Sequence, residues 1–158
     1  MNINSLEKTV ISEANPVLTV AATYVANDYV GTSAVAMSFE NCARVVNGTG
    51  AVLGCELIDT ALQSVAGELW LFNTPVTPPD DSAAWTISDA HAKTSIGVIP
   101  FSTYYASALN SISNGAPAYP LPFKCISSTA TLYGCFVTRG APAYASLDLT
   151  FKLCILQD

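Results

Sequence analysis

Hydrophobic and polar positions alternate most regularly near the end of the chain. Leu147, Leu149, Phe151, Leu153 and Ile155 interleave with Ser146, Asp148, Thr150, Lys152 and Cys154. A period of two sends the first set to one face of a strand and the second to the other, which predicts a final strand with a core face and a solvent face. Other segments rich in β-branched and aromatic residues follow the same logic. Strands are expected within Val17–Val25, Ala36–Phe39, Ala51–Ile58, Glu68–Phe72, Ser95–Phe101 and Thr129–Thr138. Glu68–Phe72 ends in four consecutive apolar residues, so burial on both faces is expected there.

Turn chemistry separates these runs. Asn47-Gly48-Thr49-Gly50 carries residues that tolerate positive φ; its Asn-Gly-Thr also fits a glycosylation sequon but reads here as a turn. Asn73 to Asp81 is a proline-rich loop, and turn residues dominate from Asn110 onward. Ser88-Asp89-Ala90-His91-Ala92-Lys93 reads as one helical turn, capped by Ser88 and with charges placed to suit its dipole. Many short strands, Gly/Pro turns and almost no helix predict an all-β sandwich or barrel. Residues 1–16 are read as an extended N-terminal arm and 17–158 as one domain.

Composition narrows the function classes. Of 158 residues, 51% are hydrophobic and only 11% charged, which excludes a disordered chain. A formal charge of −6 repels phosphate backbones, so nucleic acid is not an expected partner. No apolar core follows a basic start, so a cleaved signal peptide is not expected. The longest run free of acidic and basic residues, Thr94 to Phe123, is broken by Pro100, Asn110, Asn114, Gly115, Pro117, Pro120 and Pro122. A transmembrane segment is therefore not expected either. The five cysteines lack CxxC spacing and zinc-site gaps; they read as small buried hydrophobes, with no metal or cofactor expected.

Catalytic signals are sparse. His91 is the only histidine, and its near neighbours Ser88 and Asp89 suit capping better than a nucleophile–base–orienter line. Gly31-Thr32-Ser33-Ala34-Val35 lacks the second glycine of a nucleophile elbow, and Asp80-Asp81 reads as a solvated turn. The expectation is a non-enzyme. A body this poor in charge must leave apolar surface outside, which points to protein partners.

Several segments resemble a group of small virion proteins of tailed bacteriophages. They are Glu68-Leu69-Trp70-Leu71-Phe72, the Pro-rich loop, Asp80-Asp81-Ser82-Ala83-Ala84-Trp85, Ile87-Ser88-Asp89 and Ile96-Gly97-Val98-Ile99. Tyr24 to Gly31 resembles the opening of those proteins. Leu132-Tyr133-Gly134, Arg139-Gly140-Ala141-Pro142 and Leu153 to Asp158 resemble their close. The resemblance implies a head decoration (cement) protein: a jelly-roll-like β-sandwich and homo-oligomer, dimer or trimer, without catalysis. It implies a place on the outer capsid surface after assembly in the bacterial host cytoplasm, bracing neighbouring major capsid subunits. The expected contact elements are Ile3, Leu6, Val10 and Ile11 of the arm and Pro75, Val76, Pro78 and Pro79 of the loop. The alternative is a carbohydrate- or receptor-binding sandwich of a phage fibre or spike, with Tyr104, Tyr105, Tyr119, Tyr144 and Trp85 as a stacking platform.

Overall fold

The computed structural model describes residues 8–18, 22–32, 35–126 and 128–158. In chain order the strands are β1 (Lys8–Ala14), β2 (Ala22–Thr23), β3 (Tyr29–Val30), β4 (Met37–Phe39), β5 (Thr49–Asp59), β6 (Gly67–Phe72) and β7 (Ser95–Phe101). They continue as β8 (Tyr105–Ala106), β9 (Ser111–Gly115), β10 (Leu121–Lys124), β11 (Leu132–Thr138), β12 (Ala143–Tyr144) and β13 (Leu149–Gln157). A single helical turn, α1 (Asp89–Ala92), lies between β6 and β7.

Two antiparallel sheets form the body. The first runs β1-β13-β5-β9-β8, with β10 also on β5; the second runs β3-β11-β6-β7, with β4 also on β11. Take β1, β4, β5, β6, β7, β9, β11 and β13 as first to eighth. The sheets then read 1-8-3-6 and 2-7-4-5, the double crossing of a jelly roll.

The expected alternation in the last strand is present from Leu149. Leu149, Phe151, Leu153 and Ile155 are buried. Leu147 departs from the expectation: it is 70% exposed with φ of 69°. Asp148 explains the difference, because its Oδ2 accepts from Ala145 N at 2.6 Å and closes a turn before the strand begins. Phe151 meets Phe136 and Phe101 at ring separations of 5.0 and 5.9 Å, joining both sheets at the centre of the core. A Cβ on Gly115 would stand 2.7 Å from both Ile99 and Phe101, so this part of the sandwich closes only over a glycine. Asn47 takes a φ of 57°, as the turn signal there requires.

β6 is buried on both faces, as its apolar run predicts. Leu69 and Leu71 enter the main core. Phe72 and Trp70 face outward into a second cluster with Tyr29, Ala36, Val76, Cys135 and Trp85. The proline-rich loop and the segment after it thus fold back over the outer face of the second sheet. Two strands lie where only turns were expected, β9 and β10. In β9 the inward positions are serines: Ser113 Oγ donates to Thr103 O at 2.7 Å, and Ser64 Oγ donates to Ser111 Oγ at 2.9 Å. Paired hydroxyls can occupy a core face, and they remove the apolar alternation that marks a strand.

Candidate partner-binding surface

The two sheets differ in what covers their outer faces. The second lies under its own loop. The outer face of the first carries rows set by strand register. One row is Thr150, Ile58, Ile112 and Tyr105; another is Thr9, Leu156 and Ala51; a third joins Ile11 to Cys154. Leu53 emerges beside the irregularity where β13 shifts register on β5. Ile11 is 61% and Tyr105 68% exposed. Among the described strand residues of this face, charge falls in the row Glu13, Lys152 and Glu56, where Lys152 Nζ lies 3.5 Å from Glu56 Oε1, and at Lys124 at the end of β10, with exposed Asp158 just after β13. A sheet face with so much uncharged, partly apolar surface is suited to covering by another protein.

The expected contact residues separate on this frame. Ile3 and Leu6 lie outside the described residues. From Lys8 to Ala14 the segment read as an arm is the edge strand of the first sheet, paired along its length with β13. Val10 points inward and packs on the core, whereas Ile11 points out into the rows above. In the loop, Pro75 is exposed and Pro79 half-buried. Val76 and Pro78 are buried, contrary to the expectation that the loop offers them to a partner. Val76 fills the second cluster beside Tyr29, Phe72 and Cys135, so its apolar surface is already used within the chain. Arm and loop therefore lie on opposite sides of the sandwich and do not form one site.

The aromatic residues of the alternative reading are also dispersed. Tyr144 is in the core, and Tyr104 is half-buried with its hydroxyl donating to Val65 O at 2.6 Å. Trp85 packs against Trp70 and Tyr29 over the second sheet, at ring separations of 5.7 and 5.8 Å. Tyr105 and Tyr119 are exposed. His91 sits in α1, where Ser88 Oγ accepts from its backbone N–H at 3.2 Å, the capping role expected for Ser88. Among the described residues no group of three His, Cys, Asp or Glu side chains could hold a metal ion, and no helix is long and apolar enough to cross a membrane. All five cysteines are free thiols; Cys42, Cys55, Cys125 and Cys135 are buried.

Two further surface features escaped the sequence reading. Beside β1, a pocket of about 220 Å³ is lined by Pro16, Val17, Val35, Ala36 and Met37 together with the polar Asn15, Tyr29 and Ser38. At the other edge of the same sheet, the β8–β9 hairpin raises Leu109, which is 80% exposed. The signal for the hairpin was available, since Leu109 lies inside the charge-free stretch. The pocket had none, because it is assembled from segments that are separate in the chain. No protein-family model matches this chain, and no curated protein matches it.

Proposed function

We propose that this chain is a structural virion protein that docks on the outer surface of a phage capsid and braces neighbouring major capsid subunits. The observation that carries the reading is the asymmetry of the sandwich. One outer face is covered by the chain's own loop, while on the other Ile11, Leu53 and Tyr105 are exposed among the described residues, beside the half-buried Ile58 and Ile112. The motif resemblance supplies the identity of the partner; the jelly roll is compatible with it but hosts many functions. A brace of this kind needs only modest individual contacts. A specific interface buries about 800 Å² on each partner, and simultaneous anchoring at several points raises avidity roughly 10²- to 10⁴-fold. An acidic exterior also discourages particles from adhering to one another.

The test is retention on expanded heads that lack the protein. Ile11→Lys and Tyr105→Lys alter outward positions that are 61% and 68% exposed, and each is expected to lower occupancy at least tenfold while melting is unchanged. Point changes are preferable to removing residues 1–12, because that truncation would strip the edge strand from β13. Full occupancy by both variants would overturn the assignment of this face. Failure of the native chain to bind any expanded head would overturn the function.

A further inference from the structure

We infer that copies of this chain join head to tail, with the β8–β9 hairpin of one copy seated in the pocket beside β1 of the next. Among the described residues β1 and β8 are the first and last strands of the first sheet, so each presents an edge. The two features also stand at the same end of the sandwich. Ala14, where β1 leaves the sheet, is in register with Phe151, Leu57 and Ser113. Ala106, where the hairpin leaves, is in register with Ser111 and Asp59. These two rows are two residues apart on β5, about 7 Å along a strand. Val17 and Leu109 each follow three residues after their exit point. In neighbouring copies placed side by side, the pocket and the hairpin tip therefore lie at the same end of the sheet.

The hairpin is built to enter a pocket. Ser107 N donates to Asn110 O at 2.8 Å, and Ser107 Oγ accepts from Leu109 N at 3.3 Å and Asn110 N at 3.2 Å. The tip is thus ordered before contact, which lowers the entropic cost of docking. Its charge suits the approach as well. No acidic or basic side chain occurs between Thr94 and Phe123, so the hairpin meets a neighbour of formal charge −6 without like-charge repulsion of its own. Pro16, Ala36 and Met37 are buried at the base of the pocket, and Val17 and Val35, 65% and 60% exposed, form its rim. An exposed leucine and a pocket lined mainly by apolar side chains, on different parts of one chain, make a heterologous contact, which closes into a ring when the rotation per copy allows.

This inference stands on the geometry of the chain itself and needs no capsid, so its failure and that of the docking reading are separable. Sedimentation velocity is run on the native chain, Leu109→Asp and Val35→Asp at micromolar and higher concentrations. The native chain is expected to sediment as an oligomer. Each variant is expected to sediment at the monomer mass of 16.6 kDa with unchanged melting, since both positions are exposed. Mixing the two variants restores one intact hairpin facing one intact pocket, so a one-to-one dimer and nothing larger is expected. A monomeric native chain, an oligomer that survives either substitution, or a mixture that stays monomeric would each overturn the inference.

Discussion

Tyr24 donates its hydroxyl hydrogen to Asp81 Oδ1 at 2.8 Å, tying the start of the sandwich to the end of the proline-rich loop. Asp81 is no solvated turn residue: it is half-buried, and the same oxygen accepts from Gly31 N at 3.2 Å. Burial, and then Asp81 itself, push the Tyr24 phenol far above its ordinary range, so it stays a donor at every accessible pH. Tyr24→Phe removes one hydrogen bond to a charged group and is expected to cost about 1.5–3 kcal/mol in urea unfolding. Asp81→Ala is expected to cost at least as much, because it leaves a fully buried hydroxyl without its acceptor.

Arg139 and Glu68 make the second long-range polar link. Arg139 Nε donates to Glu68 Oε1 at 3.0 Å, Nη2 reaches Oε2, and Nη1 reaches Asn27 Oδ1. These hydrogen bonds hold the Glu68 carboxyl below its ordinary range against the opposing effect of desolvation. A carboxyl with a depressed folded pKa adds stability above its unfolded pKa of about 4.3 and loses it as pH falls through the folded value. Both side chains are about a third exposed, at 35% and 28%, so solvent screening limits the pair to about 0.5–1 kcal/mol. Arg139→Ala is expected to show that deficit at pH 7 and progressively less below pH 4, measured by unfolding across that range.

The fold was legible wherever side-chain polarity and strand face coincide. β7 spans Ser95–Phe101 as expected, β5 extends the expected Ala51–Ile58 run by a few residues, and β13 alternates from Leu149. The reading failed where that coincidence breaks. Ser111 and Ser113 face the core, Leu147 faces solvent, and β1 has Lys8, Thr9, Ser12 and Glu13 distributed over both faces. The candidate surface was hidden for another reason. Ile11 meets Cys154, and Ile58 meets Ile112, only through register between strands distant in sequence. Local periodicity says which side a residue takes but not which strand becomes its neighbour.

The thiols should divide by burial. Cys42 and Cys135 are pushed up to about 12 by desolvation, and Cys55 and Cys125 are raised by the same cause. Reaction with a disulfide reagent requires thiolate and access, and these four have neither in the folded chain. Cys154, on the outer face of the first sheet, is the exception among the five in being only half-buried. Native protein at pH 8 is expected to titrate at most one thiol rapidly, and all five after denaturation. Cys154→Ser is expected to remove the rapid phase. Rapid loss of more than one native thiol would contradict the burial seen here.

Trp85→Ala separates the two outer faces. Trp85 holds the chain after the proline-rich loop against the second sheet through its ring contacts with Trp70 and Tyr29, and its backbone N–H, which the substitution keeps, donates to Asn27 O at 2.8 Å. Truncating this half-buried ring is expected to cost about 2–3 kcal/mol, less than the 3–5 typical of a fully buried aromatic. The near-ultraviolet dichroism of the Trp70–Trp85 pair should collapse at the same time. Capsid retention should survive at temperatures where the variant stays folded, because the surface proposed to dock lies on the far sheet. If retention falls tenfold while the variant remains folded, the docking surface is the loop side, and the outer face of the first sheet serves some other contact.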